Sequence, residues 1–360
     1  MAVPLEVRDL STTLFTRRGT MKAVDGISLT VGAGETVALV GESGCGKSLT
    51  ALSIMRLLPD PPARIVGGEV ILNGRDLVAL PEQAMLDIRG REIGMIFQDP
   101  MSSLNPVAAV EKQIVEVLSA HTTLDRRQAR ARVLELLEQV GMPDAERRLD
   151  AYPHQLSGGM CQRVMIAMAI ACSPSVLIAD EPTTALDVTV QAQVLALLRR
   201  LQEEAGMAMI FITHDLGVVA EIADRVVVMY AGRKVEEATV DDLFEAPLHP
   251  YTAGLIGATP MPGAARAARL ADIPGMVPPL NALPAGWSPA SRPRWTRRER
   301  TARPARRARA LQHRGRRGAR GERRRPRPGD RRDLGAGRRV RLRQVDPRQG
   351  DHATGAGEPG

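Results

Sequence analysis

The strongest constraint on the fold is a glycine-rich segment, Gly41–Ser48, that lies between an apolar run and a helical stretch. The run Val37–Val40 is apolar without interruption, which is typical of a strand buried on both faces of a sheet. The segment fits G-x-x-x-x-G-K-[ST], a pattern whose backbone N–H groups curve around phosphate oxygens at the positive end of the following helix. Lys47 is expected to reach the β- and γ-phosphates, and the Ser48 hydroxyl is expected to bind Mg²⁺. The predicted phosphate-binding residues are Gly41, Ser43, Gly44, Cys45, Gly46, Lys47, Ser48 and Leu49.

An acidic pair follows a second apolar run and supplies the other half of such a site. The run Val176–Ala179 delivers Asp180 to the C-terminal end of a predicted strand, where its carboxylate can hold Mg²⁺. Glu181 comes next and can accept a proton from an attacking water. A strand that ends in an acidic turn is common, so the pair alone does not distinguish structure from function. Together with the phosphate loop some 130 residues upstream, it predicts a nucleotide site.

Predicted strands and helices alternate along the first part of the chain and are interrupted by a helical insertion. Helices are expected from about Pro106 to Arg148, including one over Asp125–Val140. The predicted strands are Leu5–Arg8, Gly26–Val31, Thr36–Val40, Val176–Ala179, Met209–Thr213 and Arg225–Tyr230. This alternation favours an α/β domain with a parallel sheet and an added helical subdomain.

Charge separates the chain into two unlike parts. The formal net charge of the whole chain is +8. Residues 289–360 hold 24 Arg, no Lys and 7 acidic residues, whereas residues 1–288 hold 25 Lys and Arg against 34 acidic residues. The basic excess therefore belongs to the C-terminal part. A basic nucleic-acid-binding surface is excluded as the default interpretation of the rest.

The sequence shows no signal for secretion or membrane insertion. The N-terminus, Met1–Asp9, contains two acids and no apolar core. The longest apolar run, Val164–Cys172, is about half the roughly 18 residues that a membrane span requires. The three cysteines, Cys45, Cys161 and Cys172, have neither the spacing of a disulfide framework nor that of a zinc site. We therefore expect a soluble protein of a reducing compartment.

A third motif, Leu156–Gln162, places Ser-Gly-Gly at the start of a predicted helix. Such a tripeptide offers a hydroxyl, free N–H groups and a helix dipole to phosphate, although in isolation it is better explained as an ordinary helix cap. His214 and Gln98, each at a predicted strand end, are equally ordinary when taken singly. The order of the motifs along the chain is more specific: phosphate loop, Gln98, Leu156–Gln162, Asp180-Glu181, Ala185–Asp187 and His214. In this order the chain resembles the ATP-binding subunits of ABC transporters over residues 1 to about 286.

The resemblance implies a fold and an assembly. The family has a P-loop (RecA-like) core with a mainly parallel sheet, an antiparallel β subdomain and a helical subdomain, here expected at about 100–170. It works as a head-to-tail dimer, a homodimer or a heterodimer. ATP at the phosphate loop of one subunit is then closed over by Ser157, Gly158 and Gly159 of the other.

The resemblance also assigns roles to single residues. Glu181 is expected to be the general base, and His214 to contact the γ-phosphate. Gln98 is expected to link Mg²⁺ and the attacking water to the transmembrane partner. Asp187 lies in the loop after the acidic pair and is counted with the nucleotide-binding residues. Phe15, just before a hairpin, is the candidate for stacking on adenine.

Within the family, four segments resemble the subunits of oligopeptide and dipeptide importers, including nickel-peptide relatives. These are Met95–Pro106, Tyr152–Gln155, His249–Thr252 and Ile273–Pro278. The likeness implies an ATP-binding domain at 1–260 and a C-terminal extension at 261–286. Two features depart from the family: Cys161 stands where an Arg is usual, and no cysteine-containing segment follows residue 286.

The implied partners are transmembrane permease subunits, a second ATP-binding domain and, indirectly, an extracytoplasmic solute-binding protein. The implied location is the cytoplasmic face of the bacterial inner membrane, and no specific nucleic acid is expected.

The Arg-rich segment 287–360 allows two interpretations. One is a disordered basic arm for RNA or acidic lipid. The other is a lost reading frame, because Arg, Ala, Gly and Pro make up 50 of the residues 289–360, as GC-rich DNA encodes in almost any frame. Codons for Arg332–Pro347 can be chosen that, read one base out of frame, encode Glu-Thr-Trp-Ala-Leu-Val-Gly-Glu-Ser-Gly-Cys-Gly-Lys-Ser-Thr, so the segment is compatible with a second coding frame. That product is a second strand and phosphate loop nearly identical to Glu35–Ser48, so we favour loss of the frame near Gly286–Arg300.

Three functions are therefore compared. The first is an ATPase subunit that energises import of peptides or similar small solutes, with ATP and Mg²⁺ as cofactors. The second is a soluble ABC ATPase that acts on the ribosome or on nucleic acid. The third is an Arg-rich nucleic-acid module with a decayed ATPase. The resemblance of Met95–Pro106 and His249–Thr252 to the peptide importers favours the first.

Overall fold

The computed structural model describes residues 3–17, 19–184 and 186–258. The extension expected at 261–286, the Arg-rich segment 287–360 and Ala185 lie outside the described residues. The strands in chain order are β1 Leu5–Thr16, β2 Gly19–Val31, β3 Thr36–Val40, β4 Ala63–Leu72, β5 Arg75–Asp76, β6 Ile93–Ile96, β7 Val176–Asp180, β8 Ala208–Thr213, β9 Arg225–Tyr230 and β10 Arg233–Thr239. The helices are α1 Lys47–Met55, α2 Glu82–Ile88, α3 Pro100–Ser103, α4 Val110–His121, α5 Arg126–Gln139, α6 Ala145–Arg148, α7 Gly158–Ile170, α8 Val188–Ala205, α9 Leu216–Ile222, α10 Val240–Glu245 and α11 Pro250–Ala258.

A six-stranded sheet in the order β10-β9-β3-β8-β7-β6 forms the centre of the molecule. Its pairs are parallel except for the edge strand β10, which runs antiparallel to β9. Every residue of β3, β7 and β8 is buried, because helices or the second sheet cover both faces. The carboxyl ends of the parallel strands therefore meet at one edge of the sheet, where ligands of open α/β sheets bind.

A four-stranded antiparallel sheet, β2-β1-β4-β5, packs its apolar face on α1 and the central sheet. The predicted first strand stopped at Arg8 because Asp9 is a turn residue, but β1 continues to Thr16. Asp9 has a left-handed φ of 47° where the pairing register shifts. Its N–H donates to the Ser28 hydroxyl at 2.8 Å, and that hydroxyl donates back to the Asp9 carboxylate at 2.9 Å. Asp9 thus forms a bulge that the strand passes through, so it does not end the strand.

Helices α3 to α7 follow one another between β6 and β7, and α4 to α7 share one apolar cluster with α8 and the central sheet. The predicted helix over Asp125–Val140 is α5, and Asp125 caps it by accepting from the Gln128 N–H at 2.8 Å. The Gln128 side chain accepts from the Asp125 N–H in return, which completes a capping box. Among the described residues, no helix has the length and apolar character needed to cross a membrane.

An ion pair fastens the start of the central strand β3 to the start of β9. The Arg225 guanidinium donates to both oxygens of Glu35, at 2.9 and 3.2 Å, and to the Thr30 carbonyl at 2.5 Å. Partial burial raises the pKa of Glu35, but the Arg225 hydrogen bond and one from the Gly32 N–H outweigh it. The pKa therefore lies below its ordinary 4.5. Because the carboxylate gains its partners only on folding, the pair stabilises the sheet when Glu35 is ionised.

We expect Glu35→Gln to lower the free energy of unfolding near neutral pH by about 1–3 kcal/mol, since it removes a charge-assisted bidentate contact. A carboxyl with a lowered folded-state pKa contributes stability above its unfolded pKa and loses it as pH falls through the folded value. The difference between wild type and variant, measured by denaturant titration, should therefore shrink below pH 4.5. Glu203→Gln, in an exposed pair with Arg199, is the control and should cost under about 0.5 kcal/mol. An unchanged gap at low pH would contradict the assignment.

Candidate functional site

The phosphate loop runs from the end of β3 to the start of α1 through two positions that only glycine can fill. Gly41 has a φ of 152°, and a Cβ there would lie 2.3 Å from the Met229 carbonyl oxygen. Gly46 has a φ of 106°, and a Cβ there would lie 2.3 Å from the Ala23 carbonyl oxygen. The loop is therefore pressed between β9 and β2, and its shape depends on both sheets.

The Lys47 ammonium is buried and folds back over its own loop. The side chain is attached at the first turn of α1, and Nζ donates to the carbonyl oxygens of Gly41 at 2.8 Å and Glu42 at 3.0 Å. A buried ammonium without an anion needs such acceptors. These are hydrogen bonds that a phosphate oxygen can replace, because Lys47 lies at the loop that the pattern assigns to the phosphates.

Ser48 and Asp180 are brought together from opposite ends of the motif series. The Ser48 hydroxyl donates to Asp180 Oδ1 at 3.0 Å. Burial raises the pKa of Asp180 above its ordinary value, and the Ser48 hydrogen bond offsets only part of that shift. A hydroxyl beside a nearly buried carboxylate is an oxygen donor set that suits Mg²⁺, which takes few protein ligands and completes its shell with water and substrate phosphates. The described residues contain no group of three or more His, Cys, Asp or Glu placed to hold a metal.

Three side chains converge on the carboxylate of Glu181, at the end of β7. Gln98 Nε2 donates to Glu181 Oε2 at 3.2 Å, and the Thr184 hydroxyl donates to the same oxygen at 2.9 Å. His214 Nδ1 lies 3.3 Å from Glu181 Oε1. The carboxylate side chain is only 12% exposed, while the imidazole is 60% exposed. The three residues predicted to be catalytic thus lie together, delivered by the ends of β6, β7 and β8.

The Ser-Gly-Gly motif lies at a helix start, as predicted. Ser157 caps α7, and its hydroxyl accepts from the Met160 N–H at 3.3 Å. Ser157 and Gly158 are exposed, and Gly159 is half-buried. The N-terminal N–H groups of α7 therefore face outward from this subunit, where an anion from outside could reach them.

Asp187 and Phe15, the other two predicted nucleotide-binding residues, lie outside the group of side chains that contact the Glu181 carboxylate. Asp187 caps α8, accepting from the Thr189 and Val190 N–H groups at 3.0 Å each. Phe15 lies near the end of β1, opposite Thr20 in β2, and its ring is 47% exposed. An exposed ring at the tip of a hairpin is free to stack on a base.

Two contacts of the site were missed at the level of sequence. The first is the hydrogen bond from the Thr184 hydroxyl to Glu181. The only signal for it in the sequence is that Thr184 follows Glu181 by three residues. The second is Tyr251, whose hydroxyl oxygen accepts from the Glu42 N–H at 3.0 Å. The segment His249–Thr252 was noted for its family likeness, but nothing in the pattern places it on a loop more than 200 residues upstream.

Comparison with protein families finds two matches along the chain. Residues 24–184 match an ABC transporter family, and residues 235–292 match the oligopeptide/dipeptide transporter C-terminal region. A probable peptide ABC transporter ATP-binding protein of Sinorhizobium fredii is 54% identical over 288 residues, covering 80% of this chain and 86% of the relative. An oligopeptide transport ATP-binding protein of Bacillus subtilis is 53% identical over 282 residues, covering 78% of this chain and 79% of the relative.

Solved structures give the same fold. A dimeric ATP-binding cassette in a post-hydrolysis state, bound to ADP and Pi, matches with a TM-score of 0.60 and 28% identity over 66% of this chain and 98% of that one. A part of an ABC transporter complex from Clostridium perfringens matches with a TM-score of 0.58 and 28% identity over 68% of this chain and 92% of that one. The predicted α/β fold class and family resemblance are confirmed. The chain therefore belongs to the family of ABC-transporter ATPases, among the ATP-binding proteins that carry the oligopeptide/dipeptide transporter C-terminal region.

Proposed function

We propose that this chain is the ATP-hydrolysing subunit that energises peptide import through a membrane ABC transporter. The observation that carries the proposal is the convergence of Gln98 and His214 on the carboxylate of Glu181, one residue from the Asp180–Ser48 pair. Phosphate binding and proton removal are thus assigned to adjacent groups at one sheet edge. Peptide import is supported by relatives named for peptide, oligopeptide and dipeptide transport.

The chemistry assigned to the site is hydrolysis of the γ-phosphoryl group. Glu181 accepts a proton from a water, the water oxygen bonds to the γ-phosphorus, and the bond from that phosphorus to the β–γ bridging oxygen breaks. The electron pair of the broken bond stays on ADP. Gln98 and Thr184 orient the Glu181 carboxylate by donating to Oε2, which leaves Oε1 on the side of His214. Lys47 donates to two loop carbonyls and has a third N–H with which to donate to the phosphates.

Mg²⁺ is assigned to Ser48 and Asp180, with Gln98 as the third candidate ligand. When bound, the ion neutralises charge on the β- and γ-phosphates. The raised pKa of Asp180 reflects a buried carboxylate whose neighbours are Ser48 and the acidic Glu181. A cation at this point would favour the ionised form of Asp180 again.

The proposed partners follow from the exposed parts of the site. The exposed cap of α7, Ser157–Gly159, is assigned to the ATP of a second ATP-binding domain in a head-to-tail dimer. Exposed Gln98, followed by α3, is assigned to contact with transmembrane permease subunits, which work with an extracytoplasmic solute-binding protein. The chain would then act as a peripheral protein at the cytoplasmic face of a bacterial inner membrane. The transport names of the relatives favour this over action on the ribosome or nucleic acid.

We expect Glu181→Gln to retain ATP binding and to lose hydrolysis by about 100-fold or more, because an amide cannot take the water's proton. ATP turnover and binding of a fluorescent ATP analogue measure the two effects separately. Lys47→Ala should instead weaken binding at least about tenfold, since a charge-assisted contact to phosphate is lost. Glu69→Gln and Lys112→Ala, at exposed positions away from the loop, are the matched controls and should leave both readouts unchanged. Normal turnover by the Glu181 variant would remove it as the base.

The proposed head-to-tail dimer predicts that one substitution can abolish dimerisation and leave ATP binding intact. In a Glu181→Gln background, ATP should drive dimerisation, and adding Ser157→Arg should abolish the dimer while ATP still binds the monomer. The reason is that the arginine blocks the exposed cap of α7 and leaves the chain's own phosphate loop intact. Thr123→Arg, exposed in the same helical segment, is the control for added charge. Size-exclusion chromatography with light scattering gives the readout, and a dimer that survives Ser157→Arg contradicts the arrangement.

We further propose that the DNA encoding the Arg-rich segment carries a second ATP-binding domain in another reading frame. The shifted product of Arg332–Pro347 differs from Glu35–Ser48 only at Val37. The same shift continues past it: permitted codons for Pro347–His352 encode Leu-Ala-Lys-Ala-Ile. The alanine and isoleucine fall at the positions of Ala51 and Ile54, which are buried at 1% exposure each in α1. The amino-acid sequence is thus compatible with a shifted frame that repeats the loop and the buried face of the helix that follows it.

Sequencing the gene through this segment and beyond tests that proposal. We expect the shifted frame to stay open downstream and to encode a second Ser-Gly-Gly signature, a second acidic pair and a second switch histidine in the same order. Stop codons in the shifted frame, or an open frame without those motifs, would overturn it. The outcome is independent of the ATPase assays, which concern residues 3–258.

A further inference from the structure

Within the described residues, the side chain of Tyr251 joins the C-terminal family region to the phosphate loop. Tyr251 belongs to α11, inside the segment 235–292 that matches the oligopeptide/dipeptide transporter C-terminal region. Its hydroxyl oxygen accepts from the Glu42 N–H at 3.0 Å, although the residue itself is only 3% exposed. Glu42 is the second residue of the phosphate loop, so this contact joins two regions that the chain separates widely.

The position of Tyr251 is set by contacts on its own side of the molecule. The buried Glu236 carboxylate of β10 accepts from the N–H groups of Leu248 and His249, at 2.7 and 2.9 Å, and so fixes the turn into α11. His249 Nδ1 then accepts from the Tyr251 N–H at 3.1 Å. The Tyr251 ring meets Tyr230 of β9 edge to face, with centroids 4.6 Å apart. These contacts fix the position of the Tyr251 hydroxyl independently of its hydrogen bond to the phosphate loop.

The backbone of Glu42 is held by hydrogen bonds at both its carbonyl and its N–H. Its carbonyl accepts from Lys47 Nζ at 3.0 Å, and its N–H donates to Tyr251. Further along the loop, the Cys45 carbonyl accepts from the Gly232 N–H at 2.9 Å. The contacts of Tyr251 and Gly232 to the loop do not involve Lys47, whose three N–H donors a phosphate would share with the loop carbonyls. Burial raises the pKa of the Tyr251 phenol, which keeps the hydroxyl neutral and suited to this contact.

We propose that Tyr251 is a positioning residue that holds the phosphate loop in its ATP-binding shape while Lys47 engages the nucleotide. The C-terminal family region thereby sets the affinity of the site for ATP. This inference rests on the proposed ATPase function, and it assigns no part of the chemical step to Tyr251. Glu181, Gln98 and His214 lie at the ends of other strands and do not contact Tyr251 through any hydrogen bond described above.

The test is Tyr251→Phe, which keeps the ring and its contact with Tyr230 and removes only the acceptor. We expect the dissociation constant and the KM for ATP to rise about five- to twentyfold, because the partly buried Glu42 N–H loses its partner. The kcat at saturating ATP should stay within about twofold. Thr252→Val is the matched control: it removes the neighbouring buried hydroxyl of the same helix, which has no hydrogen-bond partner among the described residues, and should leave ATP affinity unchanged.

The possible outcomes distinguish failure of the positioning role from failure of the proposed function. Wild-type ATP affinity in a folded Tyr251→Phe protein, or a fall in kcat with unchanged KM, overturns the positioning role. Hydrogen exchange at the Glu42 amide of the wild-type chain is a second measurement that needs no variant: slow exchange agrees with the proposal, and exchange as fast as in an exposed loop contradicts it. If Lys47→Ala also binds ATP normally, the proposed function fails. If only Tyr251→Phe has no effect, the inference alone fails.

Discussion

The backbone of the phosphate loop passes so close to two carbonyl oxygens that no side chain fits at the points of contact. One carbonyl belongs to Met229 in β9 and the other to Ala23 in β2, so each sheet supplies one wall. The Gly232 N–H, just after β9, binds the loop from that wall, and its carbonyl accepts from the Asp25 N–H of β2 at 2.8 Å. The site therefore exists only when the parallel and antiparallel sheets are packed together. The hairpin of β1 and β2 thus shapes the phosphate loop although it carries few of the motif residues.

The charged groups of the site are held by hydrogen bonds that can be exchanged. Buried Lys47 is bound by two carbonyls, and Asp180 is bound by the Ser48 hydroxyl. Neither group has a strong opposite charge as its direct partner in these contacts. A phosphate with Mg²⁺ would supply the opposite charge to both at once, which converts a desolvation cost into binding free energy.

The sequence predicts those parts of the structure that depend on local patterns. The apolar runs give β3, β7, β8 and β9 to within one residue, because strands buried on both faces show unbroken hydrophobicity. The course of β1 past Asp9 is not predicted, since a bulge depends on a hydrogen-bond partner 19 residues away, Ser28. The contact of Tyr251 with Glu42 is not predicted either, because its two residues lie more than 200 positions apart in the sequence. The carboxyl ends of parallel strands lie at one edge of a sheet, so the residues at those ends could be predicted to lie together. The position of α11 against the phosphate loop follows from tertiary packing, which no local pattern predicts.

The position of Glu181 shows how the fold holds a reactive carboxylate in place. Its φ of 46° lies in the left-handed region, which costs a non-glycine residue on the order of 1–2 kcal/mol. The Glu181 N–H donates to the Ile212 carbonyl in β8 at 2.9 Å, so the turn is tied to the neighbouring strand. That backbone turn directs the side chain to the hydroxyl of Thr184 and the amide of Gln98. The strain is thus balanced by hydrogen bonds that Glu181 makes with Ile212, Thr184 and Gln98.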